Sequence, residues 1–186
     1  MGAFDLQVNG YAGVDFNGDL LSGEDLDQVC EALKKDGVGG ILATFITDGL
    51  GVMCSRMERL VQLRNQNREW SKLICGIHIE GPFLNETQGY IGAHPVEHAK
   101  RSDLGEMKRL LEAAGGLTRI VTLAPERDEG FIVTRYLTEQ GICVAAGHCD
   151  PTIKQLQGSI EAGLKMFTHL GNGCPMELNR HDNVIQ

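Results

Sequence analysis

The segment LICGIHIE, residues 73–80, indicates the class of fold, because it is apolar at almost every position before it ends in Glu80. Such a continuous apolar run is typical of a parallel strand that is covered on both faces. Outward from this segment, short apolar runs alternate with stretches of helical periodicity. The strand-like runs are residues 3–9, 40–44, 73–80, 118–123, 142–146 and 165–168. Six strand–helix steps in succession predict an α/β protein with a parallel sheet.

Two α/β architectures fit this succession. A doubly wound sheet carries a glycine-rich phosphate turn that opens directly into a helix, and the turn GYAG at residues 10–13 does not. A (β/α)8 TIM barrel places its polar residues at the C-terminal ends of several strands, but usually takes about 250 residues and eight strands. We therefore expect an incomplete (β/α)8 barrel of about six βα units, forming one partial domain over residues 1–186.

Composition limits the partners and the compartment. The 186 residues carry 25 acidic and 17 basic side chains, a formal charge of −8, without a Lys/Arg cluster. This balance argues against nucleic acid or an anionic membrane as the main partner. No basic segment followed by an apolar one opens the sequence, so no secretory signal is predicted. The six cysteines form no Cys-x-x-Cys pair, which favours reduced thiols in a cytoplasmic protein.

Three side chains of the types that bind metal ions stand at or just after the ends of predicted strands. Glu80 closes the third predicted strand, His148 follows the fifth and His169 follows the sixth. A single histidine after a strand is more often structural, but one carboxylate and two imidazoles at one barrel mouth suit a catalytic divalent metal with an open coordination position. The sequence therefore predicts a metal site. We interpret His78, which shares a strand face with Glu80, as a core residue or a residue that supports the ligands.

Other catalytic motifs are incomplete or absent. The zinc deaminase pattern His-x-Glu is present at residues 78–80, but its second half is missing because Cys174 precedes Pro175 and no partner cysteine follows. Neither a Gly-x-Ser-x-Gly nucleophile turn nor a Walker-type phosphate loop occurs.

Six short sequence motifs occur along the chain in a specific order. They are DLQVNG at 5–10, GIHIEGPF at 76–83, IGAHP at 91–95, LAPE at 123–126, AGHC at 146–149 and THLGN at 168–172. This ordered set covers nearly the whole chain and resembles the N-acetylglucosamine-6-phosphate deacetylases of the amidohydrolase superfamily. The resemblance implies a (β/α)8 barrel with a small β-sandwich domain built from both chain ends, and removal of acetate from a phosphorylated amino sugar.

The resemblance also assigns roles to residues. Glu80, His148 and His169 match the metal ligands, and His94 matches a residue that touches substrate and stabilises charge on the oxygen. The substrate-binding positions are Ala93, His94, Asn172, Gly173 and Arg180. Arg180 matches an arginine that reaches the phosphate site of a neighbouring subunit, which implies a homodimer.

The first predicted strand indicates how many metal ions the site binds. Two-metal amidohydrolases usually carry His-x-His there, whereas this chain has Gln7 and Asn9. Because neutral amides are poor ligands for transition metals beside imidazole, we expect one divalent ion. Zinc is the first choice, although iron or another divalent cation accepts the same ligands.

The general base is the missing part. In the family it is an aspartate at a later strand end, no residue here matches it, and Asp182 is a poor substitute because it does not follow such a strand. The β-sandwich residues are missing as well, so the sequence is interpreted as an internal piece of the deacetylase that is inactive alone. Two alternatives stay open: another amidohydrolase, dihydroorotase-like or aminoacylase-like, and a non-catalytic decayed copy.

Overall fold

The computed structural model describes residues 2–181 and 183–185. The strands are β1 (Ala3–Val8), β2 (Gly10–Tyr11), β3 (Val14–Asp15), β4 (Val38–Ile46), β5 (Ile74–Glu80), β6 (Thr118–Leu123), β7 (Cys143–Ala146) and β8 (Leu164–Phe167). The helices are α1 (Gly23–Lys35), α2 (Leu50–Arg64), α3 (Arg68–Leu73), α4 (Leu104–Ala113), α5 (Ile132–Glu139) and α6 (Ile153–Glu161). Three short 3-10 turns lie at Val96–His98, Pro125–Arg127 and Glu129–Phe131.

Six of the strands form one sheet in the order β1-β4-β5-β6-β7-β8. Apart from the small β2–β3 hairpin, this is the order of the chain itself, and β1–β4, β6–β7 and β7–β8 pair in parallel. Sequential parallel strands joined by helices are the arrangement of consecutive units in a (β/α)8 barrel. The predicted fold class, an incomplete barrel of six units, is confirmed.

The described chain divides into two compact units. The first comprises residues 2–79 and 108–119, and its core contains fully buried side chains such as Leu26, Ile41 and Met57. The second comprises residues 80–107 and the described residues of 120–185, with Phe83, Val121 and Val144 buried in it. All the predicted metal ligands belong to the second unit.

Local sequence signals explain where two of the helices begin. Ser22 begins α1 with a capping box, because its hydroxyl accepts the Asp25 N–H while the Asp25 carboxylate accepts the Ser22 N–H. Thr152 caps α6 in the same way with Gln155.

Two small features were not predicted. A separate short helix, α3, follows α2 and begins where the Asn67 side chain accepts the Glu69 N–H. The hairpin β2–β3 has strands of two residues each. Both are too short for a periodic pattern to reveal them. No helix within the described residues has the length and apolar character needed to cross a membrane, and all six cysteines are free thiols.

Candidate metal centre

Glu80, His148 and His169 come together in the second unit. Glu80 is the last residue of β5, while His148 and His169 each stand two residues beyond the end of a strand, β7 and β8. One ligand atom from each of the three side chains lies within 4.8 Å of the other two. The structure therefore brings together three residues that are 68 and 21 positions apart in the sequence, as the strand-end argument expects.

The spacing of these atoms suits a metal ion. Glu80 Oε1 lies 3.2 Å from His148 Nε2 and 3.0 Å from His169 Nε2. Ligands about 2.0–2.1 Å from a tetrahedral zinc ion are roughly 3.3 Å apart. The donor set of one carboxylate and two imidazoles also matches that of catalytic zinc sites. These residues fit a divalent cation, and their role as its ligands stays a prediction.

The imidazole of His148 is oriented by the backbone of Tyr90. His148 Nδ1 lies 2.8 Å from the Tyr90 carbonyl oxygen, which only accepts hydrogen bonds, so Nδ1 donates its proton there. In the neutral ring the lone pair is then on Nε2, the nitrogen that faces Glu80. Fixing the far nitrogen of a ligand histidine in this way is common in metal sites and sets the tautomer that coordination needs.

Both ligand histidines have a left-handed backbone. The φ angle is 49° at His148 and 59° at His169. Non-glycine residues in this region carry strain of about 1–3 kcal/mol and persist where the surrounding contacts hold them. This conformation occurs at the position after the strand where each imidazole turns toward Glu80.

Glu80 is ionised at neutral pH. Its side chain is almost fully buried, which by itself opposes ionisation, but its close contact with His148 and the other nearby imidazoles outweigh burial and lower its pKa to about 2. A buried carboxylate with this pKa offers a fixed negative charge to a cation.

His94 lies against the cluster and is neutral. Its Nε2 is 3.2 Å from His148 Nε2 and 3.9 Å from Glu80 Oε1. Burial lowers the pKa of His94 to about 4, with His148 adding to the effect. Ala93, beside it, is exposed. A neutral imidazole has one N–H to donate and one lone pair, so His94 is suited to donate a hydrogen bond at the centre.

The predicted phosphate-end residues follow His169. The backbone N–H groups of Asn172 and Gly173 both donate to the His169 carbonyl, at 2.7 and 3.0 Å. A methyl group on Gly173 would lie 3.5 Å from His169 Cβ, so this turn packs beside the ligand. Arg180 is exposed. Asp182 lies outside the described residues.

Three further polar residues of the predicted strands have other surroundings. His78 is buried in the first unit, where its Nδ1 lies 3.2 Å from the Leu6 carbonyl oxygen, and it is not one of the three clustered ligands. Gln7 and Asn9 also belong to the first unit. The expectation of a single metal stays a prediction.

Sequence reasoning assigned no role to two residues beside the centre, Asn85 and Glu126. The Asn85 N–H donates to the His148 carbonyl at 3.0 Å, and the Asn85 amide donates to Glu126 at 2.9 Å. Glu126 belongs to the motif LAPE, which offered a signal without a chemical interpretation.

A Glu/His/His cluster at the carboxyl ends of parallel barrel strands is the donor set expected of one class of protein, the metal-dependent hydrolases of barrel fold. Comparison with known proteins narrows this class. No family model matches the chain. N-acetylglucosamine-6-phosphate deacetylases from Bacillus subtilis and Bos taurus are each 33% identical over 99% of the chain, which covers 46% and 45% of their lengths. An N-acetylgalactosamine-6-phosphate deacetylase from Escherichia coli O157:H7 is 31% identical over 97% of the chain and 47% of its own length.

Solved structures agree with these relatives. An N-acetyl-D-glucosamine-6-phosphate deacetylase from Mycobacterium smegmatis superposes with a TM-score of 0.86 at 28% identity, over 99% of this chain and 46% of its own. The Pasteurella multocida N-acetylglucosamine-6-phosphate deacetylase gives a TM-score of 0.81 at 31% identity, over 99% and 47%. The chain is thus homologous over nearly its full length to N-acetylglucosamine-6-phosphate deacetylases, and it spans a little under half the length of the relatives it matches. The resemblance inferred from the sequence motifs is confirmed.

Proposed function

We propose that the chain supplies the metal centre of an N-acetylglucosamine-6-phosphate deacetylase, an enzyme that hydrolyses the acetamide of the phosphorylated sugar to a free amine and acetate. The observation that carries the proposal is the convergence of Glu80, His148 and His169 within 4.8 Å, in a chain related to such deacetylases over 99% of its length. We further propose one bound ion, zinc in the first place.

The residues of the centre have different roles in amide hydrolysis. A divalent metal held in this position would supply a Lewis acid that polarises the acetyl carbonyl and makes water a stronger nucleophile at neutral pH. Glu80 and the two ligand imidazoles hold the ion, and the Tyr90 carbonyl keeps the His148 ring oriented. His94, neutral at pH 7, donates a hydrogen bond to the oxygen on which charge develops, a contact worth about 3 kcal/mol in other enzymes.

The remaining assignments concern substrate and assembly. Ala93 and His94 would contact the acetylated end of the sugar, and Asn172 and Gly173, in the turn beside His169, would hold the phosphate end. Arg180 is exposed, and the proposal assigns it to the phosphate site of a neighbouring subunit in a homodimer. Six free thiols support a cytoplasmic location.

Ligand titration tests this function against its rivals. We expect zinc-loaded protein to bind N-acetylglucosamine 6-phosphate at least about tenfold more tightly than N-acetylglucosamine, because the phosphate adds charge-assisted contacts. Isothermal titration against both sugars, dihydroorotate and an N-acetyl amino acid makes the comparison. Tighter binding of dihydroorotate or of the amino acid would favour another amidohydrolase, and no binding of any compound would favour a non-catalytic protein.

Acetate release by the 186-residue chain is expected to fall below detection. Proton transfer from water to the leaving amine needs a general base, and the ligand cluster of the described residues contains one carboxylate, Glu80, which is itself a proposed ligand. A coupled acetate assay with the zinc-loaded chain measures this. Turnover proportional to protein concentration, and lost on chelation, would show that the chain has its own base.

A further inference from the structure

Glu126 joins two loops of the metal centre through one oxygen. It lies in the 3-10 turn Pro125–Arg127 after β6. Glu126 Oε1 accepts the Asn85 side-chain amide at 2.9 Å and the Asp150 backbone N–H at 2.6 Å. Its Oε2 is buried and has no hydrogen-bond partner within the part of the chain that the structure describes. The two donors come from the loop that follows Glu80 at the end of β5 and from the loop after β7, which carries His148.

Both donors are attached to the segment that carries His148. The Asn85 N–H donates to the His148 carbonyl at 3.0 Å, so Asn85 links Glu126 to the ligand residue itself. Asp150 is two residues beyond His148, so the second bond holds the other end of the same turn. Glu126 therefore braces the His148 turn on both sides, whereas its own side chain is not among the clustered ligand atoms.

The braced turn needs such support. His148 has a left-handed φ of 49°, a conformation that non-glycine residues keep when surrounding contacts hold it. The backbone before Glu126 is held by the sheet. Strand β6 pairs with β7 as far as Leu123 and Ala146, and the Gly147 N–H donates to the Leu123 carbonyl.

We propose that Glu126 is a positioning residue of the metal centre, which holds the loops after β5 and β7 together so that Nε2 of His148 faces Glu80. This inference rests on the metal role proposed above. In this role Glu126 contacts neither the metal nor the substrate. The required property of its side chain is the shape of the carboxylate rather than its charge.

A pair of substitutions separates shape from charge. Glu126→Gln keeps one carbonyl-type oxygen with two lone pairs for both donors and puts the amide nitrogen where Oε2 has no partner. Glu126→Ala removes both bonds. Asp128→Ala is the matched control, because the buried Asp128 carboxylate accepts the Val133 and Thr134 N–H groups at the start of α5 and joins neither loop of the centre.

Cobalt binding and amide exchange are the measurements. Co2+ titration followed by visible absorption is expected to give about 10- to 100-fold weaker binding and an altered spectrum for Glu126→Ala, the usual size of an outer-partner effect. Glu126→Gln and Asp128→Ala should remain within about threefold of the original protein. In the metal-free protein, hydrogen exchange of the Asn85 side-chain amide and the Asp150 backbone amide should accelerate at least about tenfold. We expect this acceleration in Glu126→Ala alone.

Each result decides one of the two proposals. Unchanged Co2+ binding and exchange in Glu126→Ala, or equal losses in Glu126→Ala and Asp128→Ala, would overturn the positioning role. An equal loss in Glu126→Gln would show that charge is what matters and would overturn it as stated. If the original protein binds no Co2+, the metal function fails, and the exchange rates still decide whether Glu126 holds the loops.

Discussion

Replacing His148 with alanine is expected to weaken divalent metal binding on the order of a hundredfold or more. Loss of a partner behind a ligand already costs about 10- to 100-fold, and His148→Ala removes a ligand itself. The remaining side chains, Glu80 and His169, would present one carboxylate and one imidazole. Metal content after dialysis, measured by elemental analysis, should fall from close to one ion per chain to near zero.

Two controls keep this result specific. His181→Ala removes an exposed histidine of the same unit that is outside the cluster, and it should retain the full metal content. His94→Ala should retain metal within about threefold, because His94 is assigned to substrate. Equal metal in His148→Ala and in the original protein would contradict the site. A loss in His94→Ala as large as in His148→Ala would instead make His94 a ligand.

The sequence was sufficient to predict which polar side chains at strand ends lie close together. Parallel strands place their carboxyl ends at one edge of a sheet, so residues at or just beyond the ends of β5, β7 and β8 were expected to meet, and Glu80, His148 and His169 do. The same logic placed His78 one strand step earlier, as a core residue or a residue that supports the ligands, and it is buried. These inferences depend only on strand direction and on the two-residue period of a strand.

The loops could not be predicted in the same way. The 3.2 Å approach of His94 to His148 depends on the path of the loop after β5, which no periodic pattern describes. The Asn85–Glu126–Asp150 contacts join three loops that are far apart in the sequence. The role of Glu126 therefore required coordinates, although the motif LAPE marked its position.

Gly147 is expected to be a position where one methyl group disturbs both stability and metal binding. It lies between β7 and His148, and an added Cβ would be 2.6 Å from Thr122 Cγ2 and 3.1 Å from Thr168 Cβ. The two threonine hydroxyls are buried and 2.9 Å apart, so neither side chain can turn away without losing that bond. We expect Gly147→Ala to lower the free energy of unfolding by about 1–3 kcal/mol, and to weaken Co2+ binding at least about tenfold by displacing His148.

A second substitution identifies the clash as the cause. Thr122→Ser removes the methyl group that Gly147→Ala would strike and keeps the hydroxyl that meets Thr168. The double variant should therefore recover a large part of both losses, which a double-mutant cycle from urea unfolding and Co2+ titration measures. Gly51→Ala is the control, because a Cβ there meets no atom within 4 Å, and alanine in helix α2 should be neutral or stabilise by up to about 1 kcal/mol. Additive effects in the double variant would mean that Gly147 is required for a reason other than its contact with Thr122.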